Sequence, residues 1–536
     1  MTSLRLRDEI RDRFSVALPL FVTADEESVK LELKPYLQPF ERGLAMRELS
    51  AMLDAEDVVI EEHGLFVVRT KKSEDFLRQH LTFWQRLGRS HLSPTQQTLL
   101  EFTQNGMERG SGRASLHGAR RLRYGPHDLH EYRGKFFPQL VRSLISVSGV
   151  PAAALVLDPM CGSGTTPCEA LALGMHALGA DLNPLSVLIA NVKASLVLER
   201  PSDFLEKTTR YLEKFNFTHV SPYNVWQEHD LLYLGKWFDP EALADVAAIV
   251  AEIRGVDELL YRDFFAVCLS NIIRSVSWQK EADLRVRKEV VPYASGTAVA
   301  SFTEIVREQI AKIHPYLCVL SRDETTGHLE IRLGNAVSIA SLFPSLTGKV
   351  DLLVTSPPYA TALPYLDTDR LSLIVLGLLS RAQHKMVESE MVGTREVSES
   401  ERRGEWKAYL ARRRELPGAV SSLIDFVAGH NHGDGVGFRR RNLPSLLGKY
   451  YLDMLDAMRS ARLLMVPGAN GFYVVGNNST SVDGEKVEIP TDKFLFEIAA
   501  AAGWNCRESI PMELLHSRDI FKENRGSSET ILCLTA

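Results

Sequence analysis

Residues 154–174 read ALVLDPMCGSGTTPCEALALG. Ala154 to Leu157 is a short apolar run of buried-strand type, ending at the acid Asp158. Gly162-Ser163-Gly164 marks a tight turn in which the backbone can approach a ligand closely. From Thr165 the pattern is helical. Strand, glycine turn and helix in this order open a parallel α/β unit. The next strand, HALGADLNP (176–184), ends in Asp181. An acid about twenty residues after the first strand sits at the tip of its neighbour, within reach of ribose hydroxyls.

The turn is not a dinucleotide fingerprint, because Pro167 stands where the third glycine of Gly-x-Gly-x-x-Gly belongs. An acid before the loop repels a phosphate and suits an ammonium or sulfonium group. S-adenosylmethionine carries both, and a ribose for Asp181. The alternative, a plain strand–helix turn without a ligand, is disfavoured by the second acid. A further stretch, GKVDLLVTSPPYATALPYLD (348–367), joins a buried strand to two prolines, neither of which can donate to a ladder.

That stiff end has a chemical use. An aromatic exocyclic amine is a poor nucleophile, since its lone pair is delocalised into the ring. Acceptors on its N–H bonds favour the nucleophilic form and disperse the developing positive charge. The Ser356 hydroxyl oxygen and the Pro357 carbonyl can be such acceptors, with Pro357 and Pro358 fixing direction. The Tyr359 ring can stack on a base that has left its duplex. A turn with a core tyrosine is the competing reading of Ser-Pro-Pro-Tyr taken alone.

The chain has 536 residues, a net charge of −6 and a hydrophobic fraction of 45%. Such a length exceeds one ordinary core and the composition is that of a folded protein. The charge excludes a histone-like partner but not a local basic face. The six cysteines form no Cys-x-x-Cys pair, so neither a zinc site nor a disulfide framework is expected, which suits a reducing cytoplasm. The charged start MTSLRLRDEIRDRF is no secretory signal, and no membrane span is expected.

These residues resemble the amino-methylating DNA methyltransferase family. Asp-Pro-Met-Cys-Gly-Ser-Gly-Thr-Thr is similar to its cofactor motif, and HEYRGKFFP (130–138) to the segment before it, which lines the methionine side of the pocket. The resemblance implies cofactor contacts from Phe136, Pro138, Asp158, Cys161, Gly162, Ser163, Gly164, Thr165, Asp181 and Asn183. Gly334-Asn335-Ala336 resembles a Gly-Asp-Ala whose acid meets the adenine amino group, and an amide can both accept and donate there. Ser356, Pro357, Pro358 and Tyr359 match the family's catalytic motif, whose serine form resembles enzymes acting on cytosine N4. The implied cofactor is S-adenosylmethionine, and the implied partners are DNA and a cognate restriction or defence subunit. The implied fold is a Rossmann-like class I methyltransferase sheet with helical insertions.

The order of elements divides the chain into an accessory region (1–115), a cofactor-binding half (116–194), a helical insertion (195–325), the catalytic strand and loop (326–366), a second helical insertion (367–445) and the rest of the sheet (446–536). LSPTQQTLLEFTQNG predicts a helix with Ser93 as N-cap, Pro94 first and Gly106 at its end. Arg109, Arg113, Arg120, Arg121 and Arg123 crowd a glycine-rich connector, read as a solvated linker or a phosphate contact.

Two regions are candidates for reading DNA: one around Arg274, Lys280, Arg285, Arg287 and Lys288, the other holding Arg412, Arg413, Arg414, Arg439, Arg440 and Arg441. GVGFRRRNLPS (435–445) is preferred, because its glycines and proline put three arginines on a loop. His430, His432 and Asp434 read as a polar loop, and no metal is expected. Adenine N6 in DNA, guanine N2 in tRNA and a non-catalytic DNA-binding scaffold stay open as alternatives.

Overall fold

The computed structural model describes residues 16–17, 28–53, 58–62, 65–103, 121–132, 134, 136–280, 287–320, 327–360, 365–394, 397–431, 437–482, 485–512 and 529–536. The first six strands are β1 (Val16–Ala17), β2 (Ser28–Leu33), β3 (Val58–Glu62), β4 (Leu65–Arg69), β5 (Trp84–Gly88) and β6 (His91–Pro94). They form an antiparallel sheet in the order β1-β6-β5-β2-β4-β3.

The larger sheet uses β7 (Leu155–Asp158), β8 (His176–Asp181), β9 (Leu329–Leu333), β10 (Val350–Thr355) and β11 (Met465–Gly476). After a small hairpin, β12 (Asn478–Val482) and β13 (Glu485–Ile489), it is completed by β14 (Asn505–Met512) and β15 (Glu529–Thr535). Its order is β14-β15-β11-β10-β7-β8-β9, and β15 alone in that sheet runs antiparallel to its neighbours. This is the Rossmann-like class I methyltransferase sheet.

Alternate residues along the central strands enter different layers. Val156, Leu352 and Val474 join one apolar cluster with Leu140 and Leu144 of the helix Pro138–Ser148. Their neighbours Leu157, Leu353 and Val475 join a second cluster with Leu452, Leu455 and Met458 of the helix Phe438–Leu464. Period-two alternation with both faces apolar is what a sheet covered by helices on each side requires. The strand order reverses between β7 and β10, so a crevice opens beyond their carboxyl ends.

The first cluster runs on without a break into the antiparallel sheet, through Val29, Leu31 and Trp84. A buried polar group sits at the same junction. Arg142 donates to Glu169 at 3.1 Å, to the Gln96 side chain at 2.5 Å and to the Gln79 carbonyl at 2.9 Å. Glu169 also meets His127 at 2.7 Å. Burial raises the Glu169 carboxyl, but His127 and Arg142 outweigh it and hold the group below its usual value.

Several local expectations shift. Ser93 and Pro94 belong to β6, where they pair with Leu87 and Arg86. The following helix, Gln96–Phe102, is capped instead by Thr95, whose hydroxyl accepts from the Thr98 N–H at 3.2 Å. Gly106, Arg109, Arg113 and Arg120 lie outside the described residues. Arg439, Arg440 and Arg441 are not on a loop: they form the first turn of the helix Phe438–Leu464, with Pro444 inside it. The glycine run ends at Gly437, and arginine is a good helix former that carries the chain straight into the helix. Residues 432–436, with His432 and Asp434, lie outside the described residues.

Replacing Arg142 by methionine takes the guanidinium from the buried Glu169 and leaves His127 as its short contact. The expected cost is about 3–5 kcal/mol, read as a lower urea midpoint.

Candidate active site

The crevice beyond β7, β8 and β10 is a solvent-open cleft of about 740 Å³. Phe136, Cys161, Gly162, Ser163, Thr165 and Asp181 line one side, and Asn335, Ser356 and Pro358 the other. Nine residues expected at the site from separate stretches of the chain are thus brought together.

The glycine turn forms because its geometry admits little else. Gly162 and Gly164 have φ of +48° and +78°, a region that favours glycine. A Cβ on Gly164 would lie 2.7 Å from the Ala190 backbone, so the turn sits directly on the helix Pro184–Val197. The Gly162 N–H donates to Asp181 Oδ2 at 2.9 Å and the Asn183 N–H to Oδ1 at 2.8 Å. Burial pushes the Asp181 carboxyl up to about 6, against those backbone donors. Each oxygen keeps acceptor capacity toward the cleft.

Asp158 is not among the lining residues. It is 1% exposed, accepting from the Thr355 hydroxyl at 2.6 Å and the Met160 N–H at 3.2 Å. Burial pushes its carboxyl up to about 7, against hydrogen bonds from Thr355, Thr166 and Met160. Its Oδ1 ties two strand ends together, while its Oδ2 is buried with no hydrogen-bond partner among the described residues, directly behind the lining residues Pro159 and Met160. Asn183 is also turned from the cleft. Its side chain caps the helix Pro184–Val197 through the Leu185 N–H and donates to Asp369 at 3.0 Å. Pro138 begins its helix and Gly164 lies beneath the turn, so neither lines the cleft.

The Ser-Pro-Pro-Tyr loop is held from several directions. The Ser356 hydroxyl donates to the Val474 carbonyl at 3.0 Å. Tyr450 donates to the Pro358 carbonyl at 2.9 Å, and Asn478 to the Ala360 carbonyl at 2.7 Å. The Tyr359 ring lies over Gly476, where a Cβ would come within 2.8 Å, and its hydroxyl donates to Glu529. The ring does not line the cleft itself.

The basic candidates separate. Arg412 pairs with Asp456 and Glu415, and Arg413 with Asp425, so these arginines hold helices together. Arg274 caps the helix Leu259–Ile273, Lys280 pairs with Glu289 at 3.2 Å, and Arg285 lies outside the described residues. Arg439, Arg440 and Arg441 are exposed on the first helical turn.

Tyr132, which the sequence places in a pocket-lining segment without a contact of its own, lines the cleft, as do Met391 and Val392, which sequence reasoning missed. Tyr132 lies within HEYRGKFFP; its ring packs at Gly162 and its hydroxyl meets Ser186 at 2.9 Å. Met391 and Val392 carry no motif and arrive from the insertion.

A family model described as UPF0020, RMKL-like, methyltransferase domain, matches residues 129–196. The chain is 22% identical over 391 residues to the Type II methyltransferase M.MvaI of Kocuria varians, covering 69% of this chain and 80% of that protein. It is 21% identical over 357 residues to the Type II methyltransferase M.MjaII of Methanocaldococcus jannaschii, covering 50% and 67%. A 52-residue stretch is 40% identical to the tRNA (guanine(10)-N2)-dimethyltransferase of Methanothermobacter thermautotrophicus, covering 10% and 16%. Sheet, cleft and matched segment together make this chain a methyltransferase. Its likeness to the amino-methylating DNA methyltransferases holds, and its methyl donor is S-adenosylmethionine.

The residues present fit that donor. The Ser163 hydroxyl is buried in the cleft wall with no partner of its own. Among the described lining residues Asp181 is the only charged one, which suits a cationic ligand over a phosphate. Ionised Asp181 is the stronger acceptor for ribose hydroxyls. Binding of S-adenosylmethionine is therefore expected to weaken as pH falls through about 6, by up to about tenfold per unit below it. Asp181→Asn should bind about 1–3 kcal/mol more weakly. By calorimetric titration its affinity should change less between pH 5 and 7 than that of the parent.

Proposed function

We propose that this chain methylates the exocyclic amine of a flipped base in DNA, and that the base is cytosine, modified at N4. The observation that carries this reading is the setting of Ser356. Its O–H proton is committed to the Val474 carbonyl, so the oxygen offers lone pairs, not a donor, to a group entering the cleft. The carbonyls of Pro358 and Ala360 are engaged by Tyr450 and Asn478. Pro357 is not itself among the lining residues; its carbonyl, between Ser356 and these fixed points, is assigned as the second acceptor from the Ser-Pro-Pro-Tyr motif. When bound, S-adenosylmethionine supplies a methyl group already activated by its sulfonium. Ser356 and Pro357 then need only orient the amine and bear its developing charge.

The cofactor side is assigned to Phe136, Cys161, Gly162, Ser163, Thr165 and Asp181, with Asn335 lining the cleft beside them. Arg439, Arg440 and Arg441 are assigned to DNA phosphates or guanine edges. Three cations on the first turn of a helix oppose its dipole, so a polyanion nearby is a natural reason for them. The Type II relatives support a DNA target and a role in marking a cell's own DNA. The short stretch shared with a tRNA guanine-N2 enzyme supports a second reading, methylation of tRNA.

Mass spectrometry of nucleosides from cells expressing the protein separates these readings. N4-methylcytosine in DNA is the expected product; N6-methyladenine there, or N2-methylguanosine confined to tRNA, would replace it. Ser356→Ala should lower single-turnover methylation by at least tenfold, about the effect of one oriented hydrogen bond, with cofactor affinity kept.

Stacking by the Tyr359 ring alone would make Tyr359→Phe mild. Its hydroxyl is bound to Glu529, so the ring is aimed by that contact. Tyr359→Phe should therefore cost about three- to tenfold in single-turnover rate, and Tyr359→Ala clearly more. A Phe variant at full rate would show that Gly476 alone seats the ring.

A further inference from the structure

Asn335 stands where related enzymes carry an acid that meets the adenine amino group, and its contacts here explain the exchange. Its Oδ1 accepts from the Val337 N–H at 3.0 Å, capping the short helical turn Ala336–Ser338. That contact fixes which way the amide points. Its Nδ2 then donates to the Glu390 carbonyl at 3.0 Å. Glu390 ends the helix Arg381–Glu390, and the next residues, Met391 and Val392, form part of the cleft wall. The Met391 carbonyl is held in turn by Lys449 Nζ at 3.3 Å, and Lys449 itself does not line the cleft.

We infer that Asn335 is a positioning residue that seats Glu390–Val392 of the insertion as the apolar wall of the cofactor pocket, and that it acts on the cofactor through that wall. The inference rests on reading the cleft as the cofactor site. The chemistry requires an amide. One side of the group must accept from an N–H and the other must donate to a carbonyl. A carboxylate can do only the first, and would set an anionic oxygen against the Glu390 carbonyl. The segment needs such a strut because it is borrowed: it lies outside the sheet, and its described polar ties to the rest of the pocket are Asn335 and Lys449.

The usual role of an acid at this position and the role inferred here predict opposite signs for one substitution. Asn335→Asp restores the acid. If the group met adenine directly, the variant would bind S-adenosylmethionine as well as or better than the parent. If it holds the wall, the variant should bind about tenfold more weakly. Calorimetric titration of the full chain with S-adenosylmethionine reads this directly. Lys449→Met gives a second test at a distance, with a smaller loss expected. Met391→Gly should weaken binding by itself, and combining it with Asn335→Asp should add little, because both act through one wall. Equal or tighter binding by Asn335→Asp overturns the inference. So do fully additive losses, or an unaffected Lys449→Met protein if Asn335→Asp does not fold. A parent protein that binds no S-adenosylmethionine would instead remove the cofactor reading of the cleft, and this inference with it.

Discussion

The hydrogen bond from Thr355 to Asp158 fixes the relation on which the site depends. It joins the last residue of β10 to the last residue of β7, and so the catalytic loop to the cofactor turn. Two further side-chain ties reinforce the same junction, one from the helix that follows β7 and one between the two strands. Thr166 donates to the Val354 carbonyl at 3.1 Å, and Asp351 accepts from the Leu155 N–H at 2.8 Å at the other end. Methyl transfer is a problem of placement, in which a small error in the approach of two groups costs a large factor in rate. A parallel ladder sets strand register but leaves strand ends free to splay. Side-chain bonds at those ends, shielded from water, remove that freedom. Burial of Asp158 is then a condition for a rigid junction, and its Oδ1 serves that frame.

A second constraint comes from the helix Phe438–Leu464. Its consecutive residues Lys449 and Tyr450 hold the Met391 carbonyl on the cofactor wall and the Pro358 carbonyl on the catalytic loop. Its apolar face packs on the sheet through Leu452, Leu455 and Met458. One rigid element therefore indexes both sides of the cleft against the same sheet. Its first turn carries Arg439, Arg440 and Arg441, so a contact made there is mechanically close to the loop that would receive a base.

The parts legible in the sequence were local ones. A strand, a glycine turn and a helix occupy consecutive residues, and Asp181 follows at a spacing set by the βαβ unit, so the cofactor half could be read directly. Ser-Pro-Pro-Tyr stood out because two prolines end a strand abruptly and stiffen the chain where a flexible turn would serve folding equally well. What could not be read depends on partners far along the chain. Nothing near Asn183 shows that its side chain will cap a helix and meet Asp369, and nothing near Tyr359 points to Glu529. Met391 and Val392 are ordinary apolar residues made functional by where their insertion lands. The GVGFRRRN misreading has a local cause: glycines before the arginines outweighed the helix-forming tendency of the arginines themselves.

The amino-terminal sheet bears on the site in the same indirect way. It lies outside the resemblance to methyltransferases, and a separate accessory unit is the natural expectation. Its apolar residues instead continue the cluster beneath the helix Pro138–Ser148, and the Gln96 side chain and Gln79 carbonyl, on helices beside the sheet, accept from Arg142, which in turn holds Glu169. Lys34 and Glu101, each about 3% exposed, pair at 2.7 Å, and Gln139 of that helix donates to the same carboxylate at 3.1 Å. Buried charges of this kind add little net stability, but breaking one is costly, so they favour a single docked arrangement over a sliding one. Glu169 lies on the helix Thr165–Ala172, whose first residue lines the cleft. The sheet thereby braces the helix that follows the glycine turn. A region without a chemical motif thus still bears on the position of the glycine turn.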